Sequence, residues 1–226
     1  MSALRPPFII ALLIALSVHE WAHAVVAHRL GDPTAKEQGR LTLNPIAHLD
    51  PMGTILFFLI GFGWGKPVPV DPRYFKNWKR DSSLVALAGP VSNLIVASIA
   101  FALLLITAPG ALSGDPWELL MGSGGMRGSL SIVFTDILRT SVALNLGLMA
   151  FNLLPIAPLD GSKIVQVFVP YRYDHEYMVW MQRGPWILLG LLIAEDILGI
   201  PLLMGWISLV MTPVLHVMEL VARVIT

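Results

Sequence analysis

Five stretches of this chain, roughly residues 7–30, 83–108, 129–154, 185–200 and 201–225, are apolar over, or close to, the length a helix needs to cross a hydrocarbon core, about 20 residues. Few folds are open to a chain built this way. Lipid offers no water to the backbone N–H and C=O groups, so such segments must bond their own backbone, as helices do. The expected fold is an all-α polytopic membrane protein of about five to six transmembrane helices. Composition agrees: 55% of the 226 residues are hydrophobic and 13% charged, where a soluble domain carries about 25% charged residues. The first apolar run, from Phe8, could be mistaken for the core of a signal peptide. It continues through Trp21 and Val25 to Leu30 with no cleavage pattern, and is expected to be a retained helix. No internal repeat interrupts the chain, so residues 1–226 are expected to form a single membrane domain with a core at about 7–165 and accessory helices at about 185–225.

A sixth apolar stretch, Met52 to Trp64, is different. It is short, carries Gly53, Gly61 and Gly63, and runs into Gly65-Lys66-Pro67-Val68-Pro69. Apolar runs of about 10–14 residues are more often re-entrant or interfacial than spanning, so this Pro/Gly-rich segment is expected to dip into the bilayer and return. Irregular backbone also recurs at residues 44–51, 63–72 and 152–161. At membrane depth such backbone survives only where protein buries it or water reaches it, which suggests a polar cavity.

Charge narrows the partners. Fifteen Lys and Arg balance fifteen Asp and Glu, leaving no polybasic surface, and nucleic acid is not expected as a partner. With no cysteine, any metal must be held by His, Asp or Glu. Inside the first apolar segment stands His19-Glu20-Trp21-Ala22-His23. Positions i and i+4 of a helix share a face, so both imidazoles can reach one ion, while Glu20, one residue on, can serve as general base for an attacking water instead of as a third ligand. Three ionisable groups in one turn of a membrane helix are costly to bury and default to a functional reading; the bland reading is a polar patch satisfied by neighbouring helices. Catalytic zinc needs a third protein ligand and an open fourth position. The best candidate is Asp160, which follows Asn152-Leu153-Leu154-Pro155-Ile156-Ala157-Pro158-Leu159, where the prolines break helical bonding. Alternatively, Asp160 caps a short helix from Ser162 to Val169. Of the remaining histidines, His28, His175 and His216 are expected to be surface or locally bonded residues, whereas the loop carrying His48 could fold back toward the site.

The His-Glu-x-x-His helix, the Ala88-Gly89-Pro90-x-x-Asn93 element and Asn152-x-x-Pro155-x-x-Pro158-Leu159-Asp160-Gly161, in this order, resemble the site-2 protease family of intramembrane metalloproteases over about residues 15–165. Gly39-Arg40-Leu41-Thr42-Leu43-Asn44-Pro45 and Gly65 to Val70 look typical of its compact prokaryotic branch, without PDZ or CBS domains. The resemblance implies one zinc ion per chain held by His19, His23 and Asp160, Glu20 as catalytic base, and Asn152 as a polar group near the scissile bond. It implies an endopeptidase of regulated intramembrane proteolysis, acting on membrane-anchored proteins or peptides in the lipid bilayer of the cell membrane. The alternative from another class is a metal-ion transporter or channel using the same buried ligands. It gives Glu20 no reason to stand between two ligands.

Topology can be argued from the same residues. If Met52–Trp64 crossed the bilayer, the histidines would lie across the roughly 30 Å core from Asp160. If it returns, all three ligands share one side, and with an outside amino terminus most Lys and Arg fall on the cytoplasmic side, as the positive-inside rule prefers. Five crossings, a cytoplasmic carboxyl terminus and a site facing the cytoplasm are expected. Single cysteines at Arg40 and Lys79 would report that arrangement.

Overall fold

The computed structural model describes residues 5–60, 63–108 and 130–225, and among them it is helical, with one isolated antiparallel bridge between Leu49 and Gly65. In chain order the helices are α1 (Pro6–Arg29), α2 (Thr34–Glu37), α3 (Pro45–His48), α4 (Pro51–Ile60), α5 (Trp78–Thr107), α6 (Leu130–Asn152), α7 (Asp160–Gln166), α8 (Asp174–Leu198) and α9 (Leu202–Ile225). Four are long and apolar enough to cross a membrane: α1, α5, α6 from Ser131, and α9. The chain is thus a helical polytopic membrane protein. The segment expected at 185–200 is the distal part of α8, whose earlier turns carry Asp174, Glu176 and Arg183.

Helices α1, α5 and α6 pack on one another and form the centre. Helix α1 starts on Pro6-Pro7, whose fixed φ suits the first turn and whose missing N–H groups are not needed there. It buries Ala11, Ala15, Ala22, Ala24 and Ala27, small residues that let neighbouring backbones approach closely where no hydrophobic effect drives helices together. Between α5, α6 and α9 lies an apolar cluster including Ala97, Leu104, Leu138, Leu146, Met211 and Leu215. Two amides, Asn93 and Asn145, are fully buried within this bundle.

The described parts of the 52–64 stretch, on either side of residues 61–62, run out and back as the two legs of a hairpin, and Gly61 lies outside the described residues. Helix α4 leaves from Pro51, and by Gly65 the chain is back beside Leu49, where the Lys66 N–H donates to the His48 carbonyl over 2.8 Å. The legs touch because Gly53 lacks a side chain: a Cβ there would fall 2.9 Å from Trp64 N and closer still to its carbonyl oxygen. Ten helical residues reach about 15 Å, half a bilayer core. Met52, Ile55, Phe58 and Leu59 are exposed along it. The re-entrant expectation therefore matches the path of the chain, which enters and leaves at one end of the bundle.

That end also gathers the carboxyl terminus of α1, the start of α5 and the α6–α8 connection. Lys79 at the start of α5 is buried, donates to the Val169 carbonyl at 2.8 Å, pairs with Asp174 and lies 4.1 Å from the Tyr171 ring centroid. Arg40, also buried, donates to the Lys66 carbonyl at 2.5 Å. At the opposite end, Gly199 adopts φ 65°, and the Glu195 carboxylate accepts from the N–H groups of Leu203 and Met204, capping α9. The tight turn expected between the last two segments is formed in this way.

Candidate metal centre

His19 and His23 stand one turn apart on α1, both buried, as the i, i+4 spacing requires. Their Nε2 atoms are 3.0 Å apart, and Asp160 Oδ2 lies 3.2 Å from the first and 3.3 Å from the second. Zinc–ligand bonds of about 2.0–2.2 Å in a tetrahedron separate the ligand atoms by about 3.3–3.6 Å, so the spacing is close to that of ligands converging on one small cation. These three are the metal-competent cluster among the described residues.

The hydrogen bonds behind the rings agree. His19 Nδ1 meets Asn93 Oδ1 at 2.6 Å, and His23 Nδ1 meets the Val85 carbonyl at 2.7 Å. Carbonyl oxygens only accept, so both Nδ1 atoms carry the proton and both Nε2 lone pairs face Asp160, the tautomer a metal ligand needs. Asp160 Oδ2 is buried with no hydrogen-bond donor. Burial raises the Asp160 carboxyl, while positive charge on the adjoining His19 and His23 rings lowers it well below the usual carboxylate range; with those rings neutral, a bound cation takes over that role. An anionic oxygen and two neutral imidazole nitrogens, crowded together with no donor between them, suit a divalent cation.

Each ligand is positioned by a local device. Asp160 is the first residue of α7, and Leu159 occupies the cap position without a side-chain bond. The capping role considered for Asp160 is therefore not taken: its carboxylate faces α1. Helix α7 starts at Asp160, not at Ser162, and closes on the preceding turns because Gly161 has no Cβ to strike the Leu153 and Leu154 carbonyls. On α5, Gly89 leaves the space that the imidazoles fill. A Cβ there would lie 2.5 Å from His23 Nε2 and 2.6 Å from His19 Nε2.

Glu20 is half-buried, and its Oε2 accepts the Val68 N–H at 2.8 Å. The returning leg of the hairpin thus holds this carboxylate. Asn152 donates its amide to the Leu148 carbonyl of its own helix at 3.0 Å. His48 is buried away from the cluster, with Nε2 on the Thr42 carbonyl at 2.8 Å, so its loop packs beside the hairpin without contributing a ligand. His216 sits on α9 near Glu219, at 3.6 Å, and His175 is exposed at the start of α8. Sequence reasoning missed Asn145, Val85 and Val68. A polar amide in mid-membrane helix was the available signal for Asn145; the other two act through backbone atoms.

The family model described as Peptidase family M50 matches residues 7–182, from α1 through all three ligands into α8. The chain belongs to this family. It is 46% identical over 170 residues, 74% of this chain and 71% of the relative, to YwhC of Bacillus subtilis (strain 168), named as a candidate zinc metalloprotease. It is 30% identical over 200 residues, 86% of this chain and 67% of the relative, to Rip2 of Mycolicibacterium smegmatis, and 29% identical over 166 residues, 70% of each chain, to MJ0611 of Methanocaldococcus jannaschii, both named in the same way. No solved structure matches the chain significantly. This M50 member is a zinc metalloprotease of the site-2 protease family. Membership in a peptidase family removes the ground for the transporter reading.

Proposed function

We propose that this peptidase hydrolyses peptide bonds of membrane-spanning or membrane-proximal segments of membrane-anchored proteins, in regulated intramembrane proteolysis at the cell membrane. One zinc ion per chain is held by His19, His23 and Asp160. The observation that carries the reading is the approach of Asp160 Oδ2 to within 3.3 Å of two imidazole nitrogens carried by a helix that is itself apolar and 24 residues long. His23 is six residues and His19 ten residues before Arg29, about 9 and 15 Å along the helix axis. Both positions lie within the half of a roughly 30 Å core nearer that end.

Bound there, zinc supplies a Lewis acid that activates water and polarises the scissile carbonyl. Glu20 takes the proton of the attacking water on one carboxylate oxygen while the Val68 N–H fixes the other, and then delivers it to the leaving amine. Asn152 swings its amide from Leu148 to donate to the developing oxyanion, a contribution of about 3 kcal/mol for a well-placed donor. A helical substrate keeps its carbonyls in its own hydrogen bonds, so it must unwind, and the extended leg from Gly63 to Val70 is the edge against which it lies. Pro67 and Pro69 offer no N–H there, so pairing along this leg relies mainly on its carbonyls accepting from the substrate. The site opens toward the cytoplasm.

The test uses purified protein, zinc and a membrane-spanning reporter, with Glu20→Gln as the variant. The amide keeps the side-chain shape but cannot take the proton, so cleavage falls by at least about 100-fold while zinc stays at one per chain. Cleavage above a few per cent of the parent would remove Glu20 from the mechanism. Loss of zinc would make it a ligand or a ligand's support.

A further inference from the structure

Behind His19 runs a chain of buried amides whose polarity is fixed from its far end. Asn145, on α6, donates Nδ2 to the Ser141 carbonyl at 2.8 Å. A backbone carbonyl can only accept, so this contact assigns the two ends of the amide, and Oδ1 must point the other way. There it accepts from Asn93 Nδ2 at 2.9 Å. Asn93 Nδ2 also reaches the Ala15 carbonyl of α1 at 3.3 Å, a second unambiguous acceptor. Both Asn93 donors are thereby engaged, its Oδ1 is turned to His19 Nδ1, and His19 must carry its proton on that nitrogen. Neither asparagine is exposed at all, so water cannot substitute for a missing partner.

We propose that Asn145 is a positioning residue for the metal centre, acting through Asn93 to hold His19 in the tautomer that presents Nε2 to the ion. Asn145 touches neither ligand nor substrate. Without its acceptor oxygen, only the longer 3.3 Å contact to the Ala15 carbonyl opposes an end-for-end rotation of the Asn93 amide, which would present Nδ2 to His19 Nδ1 and favour the tautomer with the imidazole proton on Nε2, the nitrogen that would bind the metal. The two rings are therefore held differently. His23 faces a backbone carbonyl that cannot rotate, whereas His19 faces an amide that can, and Asn145 supplies the shorter of the two contacts that hold it.

The inference rests on His19 being a zinc ligand, and the experiment separates the two claims. Zinc affinity is measured by chelator competition in detergent for the parent, His19→Ala, Asn145→Leu, Asn93→Asp and the Asn145→Leu/Asn93→Asp pair, with thermal unfolding of each metal-free protein as the control for folding. His19→Ala tests the ligand itself; zinc bound as tightly as in the parent would remove that reading and the relay with it. Asn145→Leu keeps volume and removes the acceptor, and is expected to weaken zinc about 10–100-fold, as loss of an outer-shell partner does. A carboxylate at position 93 accepts through either oxygen and needs no polarity from Asn145. In that background the same change is expected to weaken zinc less than about threefold. Equal losses in the two backgrounds, or no loss in the parent background, would make Asn145 a packing residue and overturn the proposal. Asn145→Asp provides the conservative rescue: buried, its neutral acid donates to Ser141 and keeps a carbonyl toward Asn93, so zinc affinity near the parent value is expected.

Discussion

A single missing methyl group decides whether the two histidines can share an ion. Gly89 sits in the interior of α5, where alanine would favour the helix by about 1 kcal/mol. Glycine stands there because both imidazoles occupy the space beside its Cα. Gly89→Ala is therefore expected to pull stability and function apart. The metal-free protein should unfold at the same or a higher temperature, while zinc binding weakens by at least tenfold and proteolysis falls with it. Parallel melting and chelator titration of the two proteins checks this; unchanged zinc affinity would mean that the rings move aside without loss. The neighbouring Pro90 removes one helical hydrogen bond, and Ser92 Oγ bonds the Gly89 carbonyl at 2.7 Å in the same turn.

At the scale of elements, the hairpin around α4 connects an exposed apolar face to the Glu20 carboxylate, the proposed base. Its outgoing leg, α4, is apolar and exposed at Met52, Ile55, Phe58 and Leu59, its base is bridged between Leu49 and Gly65, and its return leg carries Val68 onto Glu20. Closure of the two legs at Gly53 thus governs where Val68 stands. Gly53→Ala places a methyl group against the Trp64 backbone and should cost about 1–3 kcal/mol through overpacking. Because the proposed metal ligands lie on other elements, zinc stoichiometry should stay at the parent value while KM for a membrane-spanning reporter rises several-fold. A fall in zinc content with unchanged KM would show that the hairpin supports the metal site and not the substrate.

For the whole molecule, the shared position of the ligands makes the topology testable. The segments between the long helices at 31–77 and 153–173 connect at the end of the bundle where the candidate metal cluster lies, and they hold basic residues including Lys36, Lys66, Arg73, Lys76 and Lys163. The positive-inside rule favours the cytoplasm for that end, the side proposed for the site. Arg40 and Lys79, the probe positions chosen from sequence, are unsuitable, since they are only 5% and 3% exposed and hold loops together. Gln38, Lys76 and, at the other end, Ile200 are exposed. With no native cysteine in the background, cysteines at Gln38 and Lys76 should resist an impermeant thiol reagent in intact cells and react after lysis, while one at Ile200 reacts from outside. Labelling at Gln38 from outside would invert the arrangement.

Much of this was written in local sequence. Apolar length determined the helices, because lipid allows a spanning backbone no other partner than itself. The spacing of His19 and His23 determined a shared face, because four residues make about one turn. The short glycine-bearing run from Met52 to Trp64 announced a return. What sequence left open is whatever depends on atoms every residue has, or on distance along the chain. The Val85 carbonyl behind His23 and the Val68 N–H on Glu20 are backbone groups without a side-chain signature. Asn145 meets Asn93 across 52 positions of chain, and each amide by itself could have pointed either way. Asp160 could have capped a helix or faced the imidazoles, and only the packing of α7 against α5 chose between them. Spacing along one helix supplies ligands; the direction in which each lone pair points is set by hydrogen bonds that exist only once α1, α5 and α6 are packed together.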